Sequence, residues 1–159
     1  MPTPDQVRIN KSTSKLEIHA PGHESHLGTI RRVVSDLARQ VGFADHEART
    51  IQMAVDEACA NILEHAYAPD KEWCWQHREP EIRLQIHTEG GRLVIEIFDH
   101  GQRFDFTRYR PTDVAANLGA MRNGGYGLPI MRRFMDEVQY SSSDRTGNTL
   151  RLVKYLKKP

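Results

Sequence analysis

Apolar and polar residues alternate along three short stretches of the chain, which is the pattern of strands that bury one face. The first stretch covers 15–20, and the other two cover 82–86 and 93–97 with Gly90 and Gly91 between them. A pair of glycines between two alternating stretches is typical of a hairpin turn. The pattern therefore predicts one strand near the start of the chain and an antiparallel pair in its middle.

Three other stretches carry apolar residues every three or four positions, which is the spacing of an amphipathic helix. The predicted helices span about 23–42, 45–67 and 127–138. Gly42 stands where a helix C-terminal cap is expected, and Pro69 closes the second helix. Alternation returns near the end of the chain and predicts two further strands, at about 139–143 and 149–156.

Long helices interleaved with hairpin-paired strands predict an α+β fold, a two-layer sandwich in which helices cover one face of a mostly antiparallel sheet. The 159 residues show no repeat or long linker, so we expect a single domain over 1–159. The formal net charge of +1 gives no electrostatic footprint for nucleic acid. We therefore expect no direct binding of nucleic acid. Because no apolar run fits a membrane span or a secretion signal, we also expect a cytoplasmic protein that does not bind membranes.

The second predicted helix carries three polar residues at intervals of four, Glu57, Asn61 and His65. Four steps of about 100° drift by only about 40°, so the three side chains share one stripe of an α-helix. An isolated stripe of this kind is usually a solvated helix face. Its meaning depends on which other polar residues the fold brings near it.

Two more segments place candidate ligand-binding residues at the end of a strand and at the start of a helix. A predicted strand ends at Asp99, whose carboxylate could accept from an exocyclic amine, and Gly101 would let the backbone approach a planar ligand. Gly124, Gly125 and Gly127 precede the third helix, where backbone N–H groups and the helix dipole favour phosphate oxygens. Read alone, each element is equally consistent with an ordinary turn.

In chain order, E-x3-N-x3-H on a helix, D-x-G at a strand end and G-Y-G opening a helix resemble one ATP-binding fold. It is the GHKL fold of gyrase-type, heat-shock chaperone, histidine kinase and mismatch-repair ATPases. Within that superfamily the segments AVDEACANILEHAY, DHGQRFDF and GGYGLPIMRRFMDEV are similar to those of the anti-sigma-factor serine/threonine kinases. The resemblance covers 15–156 and implies the GHKL type of two-layer sandwich.

The resemblance also implies roles for single residues. Glu57 matches the catalytic carboxylate that activates the attacking hydroxyl, Asn61 the Mg²⁺ ligand, and Asp99 the residue that recognises the amino group of adenine. The remaining matches lie around the nucleotide in that family: His65, Gly101, Gly125, Gly127 and Thr149. For His65 a packing or hydrogen-bonding role fits equally well. ATP and Mg²⁺ are the cofactors that the resemblance implies.

A kinase of this kind phosphorylates a small anti-anti-sigma protein of the STAS type, holds a sigma factor when that substrate is spent, and can form a homodimer. Two alternatives stay open: a nucleotide-gated binding module of the same fold with little kinase activity, and a detached histidine-kinase catalytic domain.

Arg103 stands where the wider superfamily repeats a glycine. Beyond it, the long segment 106–123 lacks periodicity, and we expect it to form a lid that orders over ATP.

Overall fold

A computed structural model describes residues 6–11, 15–67, 79–103 and 127–157 of the chain. The strands within these ranges are β1 (Arg8–Lys11), β2 (Leu16–Pro21), β3 (Glu81–Glu89), β4 (Arg92–Asp99), β5 (Glu137–Ser143) and β6 (Gly147–Tyr155). The helices are α1 (Leu27–Val41), α2 (Asp45–Asn61) and α3 (Gly127–Phe134), with a 3-10 turn (Glu24–His26) before α1 and a π-helical turn (Ile62–Ala66) continuing α2. None of these helices is both long and apolar enough to cross a membrane.

The strands form one sheet in the order β1-β2-β3-β4-β6-β5, and every neighbouring pair is antiparallel. Ile97 of β4 stands between Leu84 of β3 and Leu150 of β6. These three residues lie on the inner face of the sheet, which packs against the helices, whereas Phe98 and Thr149 lie on the outer face. The architecture confirms the predicted α+β sandwich with helices on one face.

The core lies between the inner face and the two long helices. Alternate strand residues and the apolar stripes of the helices are fully buried there, among them Ile18, Leu84, Ile97, Leu152, Ile30, Val34, Ile51 and Val55. Burying one such side chain contributes about 1.5–3 kcal/mol relative to leaving it exposed. Because these positions are the ones whose spacing predicted β2 to β4 and the first two helices, the packing confirms those elements.

Local chemistry sets the ends of several elements. Gly42 adopts a left-handed φ of 118° after α1, as its predicted capping role requires, and Phe43 N–H donates to the Ala38 carbonyl at 3.1 Å. The turn between β3 and β4 contains Gly90 and Gly91 with φ of 55° and 74°, which confirms the predicted hairpin. The chain therefore turns where its glycines allow a positive φ.

Two elements differ from the prediction. The third helix ends at Phe134 and not near 138, because Asp136 N–H donates to the Val153 carbonyl at 2.9 Å and β5 begins at the next residue. The Lys154 ammonium also donates to the Phe134 carbonyl at 2.8 Å and closes the helix end. The edge strand β1 was not predicted, since all four of its residues are exposed and their sequence carries no alternation signal.

Candidate functional site

The carboxylate that ends β4 is buried and held by two donors. Asp99 is only 5% exposed, and its Oδ1 accepts from Gly101 N–H at 2.9 Å and from Asn148 Nδ2 at 2.8 Å. Asp99 and Asn148 are direct partners across the β4–β6 ladder, so both side chains lie on the inner face. Both bonds reach the same oxygen, which leaves Oδ2 to a further donor.

Burial raises the pKa of Asp99, and the hydrogen bonds from Asn148 and Gly101 oppose that rise only in part. Ionising a carboxylate away from water is costly unless donors satisfy its oxygens. A ligand that presents an N–H group to Oδ2 would supply the missing donor. The exocyclic amino group of adenine has this chemistry.

The turn after β4 packs tightly against the continuation of α2. Gln102 N–H donates to the Ala66 carbonyl at 2.9 Å, and a Cβ added at Gly101 would lie 2.5 Å from both that carbonyl oxygen and the Ala66 Cβ. Only glycine therefore fits at 101, because any side chain would displace the π-helical turn or the end of the strand. This packing brings the predicted helix stripe and the predicted strand end into one region.

A tyrosine that sequence reasoning missed fastens the same region. The hydroxyl of Tyr67 donates to the Glu81 carbonyl at 2.8 Å and accepts from His100 N–H at 2.8 Å. It therefore ties the start of β3 and the end of β4 to the end of the π-helical turn. No spacing signal marks Tyr67, because its role depends on two main-chain groups that are distant in sequence.

Glu57 and Asn61 lie partly exposed on α2, as the stripe predicts. They precede Ala66 by nine and five residues, which at about 1.5 Å per residue places them roughly 13 and 7 Å along the axis from the contact with the Asp99 turn. Burial, followed by the negative charges of Asp56 and Glu64, raises the pKa of Glu57. A carboxylate with a raised pKa is suited to take up a proton.

His65 lies in the π-helical turn that continues α2. Its side chain is about half exposed, and its imidazole lies 3.9 Å from the Glu64 carboxylate. The predicted role of His65 beside the nucleotide stays a prediction.

The glycine and threonine predictions have different outcomes. Thr149 pairs with Phe98 on the outer face, so Asn148, and not Thr149, stands beside Asp99. The predicted role of Thr149 near the nucleotide stays a prediction. Gly127 is the first residue of α3, a helix that packs against α2. Gly125 and the predicted lid 106–123 lie outside the described residues.

Comparison with known proteins adds independent evidence. The model of the histidine kinase-like ATPase domain family matches residues 20–154 of the chain. The chain belongs to this family. Within the family its curated relatives include the serine-protein kinase RsbW of Bacillus subtilis strain 168, which is 31% identical over 93% of this chain and 89% of the relative. RsbW of Bacillus pumilus is 30% identical over 93% of this chain and 90% of the relative.

Two solved structures resemble this histidine kinase-like ATPase domain at the level of the fold. The RsbU and RsbW domains of a Mycobacterium tuberculosis protein match with a TM-score of 0.62 and 19% identity, over 94% of this chain and 34% of that one. The SiaB–SiaC complex from Pseudomonas aeruginosa matches with a TM-score of 0.62 and 19% identity, over 92% and 89%. The predicted membership in the GHKL superfamily and its serine-kinase branch is confirmed.

Proposed function

We propose that this ATP-binding protein is a serine/threonine kinase that phosphorylates an anti-anti-sigma protein of the STAS type and, when that substrate is spent, sequesters a sigma factor. The observation that carries the proposal is the packing of the Asp99 turn against the helix that bears Glu57 and Asn61. This packing supports a site in which Asp99 would accept from the adenine at one end and Glu57 would accept a proton at the other. The sequence identity of 31% and 30% to two serine-protein kinases, over 93% of the chain, supports the reaction type.

The adenine of ATP would lie at the buried end of the site, next to Asp99. Asp99 would accept from the adenine amino group through Oδ2, and Gly101 lets the turn approach the base without a side chain. The phosphates would then extend along α2 toward Glu57, with Gly125 and Gly127 on the phosphate side. Phosphoryl transfer needs mainly positioning and charge neutralisation from the protein, and this division supplies both.

Asn61 would hold Mg²⁺ through its amide oxygen. Mg²⁺ prefers oxygen ligands and keeps several waters and phosphate oxygens, so one protein ligand beside the phosphates is enough. In the described part of the chain no group of three or more His, Cys, Asp or Glu could hold a metal ion by itself. The residues present thus fit a cation that arrives with the nucleotide, where it would neutralise phosphate charge.

Glu57 would take the proton from the attacking serine or threonine hydroxyl. Its raised pKa and partial exposure fit a base that must meet a hydroxyl on another protein.

We further propose that the chain forms a single domain, that it works in the cytoplasm, where sigma factors act, and that it can pair as a homodimer. Of the alternatives, the nucleotide-gated binding module would use the Asp99 end of the site without the Glu57 end.

The test is transfer of radiolabel from γ-labelled ATP to a STAS-domain protein from the same genome, with Glu57→Gln as the inactive control. We expect acid-stable label on serine or threonine of the partner, and none with the control. Nucleotide-dependent binding of the partner without label would favour the binding module. Acid-labile label on histidine would favour a histidine-kinase catalytic domain, and absence of ATP binding would refute all three.

A further inference from the structure

A buried amide on β6 lies against the end of β4 and the turn that follows it. Asn148 is 3% exposed, and its Nδ2 lies 2.8 Å from Asp99 Oδ1, 3.0 Å from the Gly101 carbonyl and 3.5 Å from the Gln102 carbonyl. On its other side, Asn148 Oδ1 accepts from Ser142 Oγ at 2.7 Å. Both hydrogen-bonding groups of the amide thus have partners.

These partners determine which way the amide points. The three atoms near Nδ2 are all oxygens that only accept, so a flipped amide would set its own oxygen against a carboxylate and two carbonyls. In this orientation the Ser142 hydroxyl, on the neighbouring strand β5, donates to the amide oxygen. The three acceptors thus direct the amide nitrogen toward Asp99, and the Ser142 hydroxyl holds the other end of the amide in place.

The amide in turn fixes the carboxylate. Its bond and that of Gly101 N–H both reach Oδ1 of Asp99, so rotation of the carboxylate would cost two hydrogen bonds at a buried position. Oδ2 is consequently the oxygen that remains for a ligand. The second N–H group of Asn148 donates to the Gly101 carbonyl, and so Asn148 also keeps the turn at a set distance from that oxygen.

We infer that Asn148, held by Ser142, is a positioning residue that selects 6-aminopurines by fixing the orientation of the Asp99 carboxylate, so that one of its oxygens stays directed at the base. The inference rests on the proposed role of Asp99 in adenine recognition. Asn148 acts only through Asp99 and the turn, so its effect should be specific to the amino group of the base. A residue needed merely for folding would weaken the binding of every nucleotide alike.

The experiment compares ATP with purine riboside triphosphate, which lacks the 6-amino group, by calorimetric titration. For the unmodified protein we expect about ten- to a hundredfold tighter binding of ATP, the range for a hydrogen bond to a charged group. Asn148→Ala should reduce this ratio to about threefold or less, and Ser142→Ala should reduce it in part. Ser141→Ala is the matched control, because Ser141 pairs with Thr149 on the outer face and should leave the ratio unchanged.

The outcomes distinguish the positioning role of Asn148 from the proposed function. If the unmodified protein binds neither triphosphate, the proposed function fails. If it binds ATP and discriminates, but Asn148→Ala and Ser142→Ala keep the full ratio, the positioning role is overturned while the proposed function stands. Should Asn148→Ala not fold, Ser142→Ala alone decides, because loss of a single hydroxyl near the sheet edge leaves the buried amide in place.

Discussion

Replacing Asp99 by asparagine changes one carboxylate oxygen to an amide nitrogen and removes the charge. The donors Gly101 N–H and Asn148 Nδ2 both require an acceptor at the position of Oδ1. The new side chain must therefore keep its carbonyl oxygen there and present its NH₂ group where Oδ2 stood. In Asp99→Asn a donor then faces the amino group of adenine, which is itself a donor.

The expected loss of ATP affinity follows from this exchange. A hydrogen bond to a charged group contributes about 1.5–3 kcal/mol, so its removal should weaken ATP binding by about ten- to a hundredfold. Two donors that face each other at a buried position add to that loss. Purine riboside triphosphate has no amino group, so its affinity should change much less.

The stability of the fold should move in the opposite direction. Burial raises the pKa of Asp99 above its unfolded value, so the folded state binds more protons and ionisation lowers stability as pH rises from the unfolded pKa through the folded one. Asparagine carries no such cost. At pH 7 Asp99→Asn should be at least as stable as the unmodified protein, and its relative advantage should shrink as pH falls toward about 4.

Calorimetric titration and thermal unfolding at the two pH values measure these effects. The matched control is Asp36→Asn on α1, because the Asp36 side chain is 61% exposed and should leave ATP affinity unchanged. Retention of ATP affinity within threefold in Asp99→Asn would refute the adenine role. Unfolding of the variant at pH 7 would show instead that the fold itself needs the charge.

Three further changes test other parts of the site. Glu57→Gln should keep ATP affinity within a few-fold but lower the rate of phosphoryl transfer about 10²- to 10⁴-fold. The rate of the unmodified protein should rise with pH through the raised pKa of Glu57, and this rise should be absent from the variant. Label transfer by the variant at the unmodified rate would exclude a role as general base. Gly101→Ala should cost about 1–3 kcal/mol in urea unfolding, because its Cβ meets the Ala66 backbone, and an unchanged midpoint would contradict that packing. Tyr67→Phe should cost about 1–3 kcal/mol in urea unfolding, because it removes the hydroxyl that bonds two partly buried main-chain groups. Stability equal to that of the unmodified protein would show that water replaces the hydroxyl.

The elements that the sequence predicts well are those whose burial follows from local spacing. Alternation in β3 and β4 and the three-and-four spacing in α1 and α2 record which side of each element is buried, and Gly42 marks a helix end by its positive φ. The errors arise where distant partners decide. The third helix stops at Phe134 because the next strand pairs with β6, and β1 exists because β2 offers it an edge.

In the candidate site, too, some features follow from local spacing and others depend on residues that are distant in sequence. The stripe of Glu57 and Asn61 and the strand end at Asp99 follow from local pattern, but which residue of β6 faces Asp99 depends on strand register. A shift of one position exchanges Thr149 for Asn148, and short-range spacing contains no information on that register.

The two ends of the site differ in burial, and the difference suits the two ligands that we propose. Asp99 is buried and held by fixed donors, so the acceptor for a small planar base is organised before ATP arrives. Glu57 is only partly buried, and the charges of Asp56 and Glu64 help to raise its pKa. A serine on a folded partner can reach a carboxylate only where that carboxylate stays open to solvent. In the proposed function, adenine recognition would therefore rest on groups that the fold already holds in place, whereas Glu57 would obtain its second reactant from the partner protein.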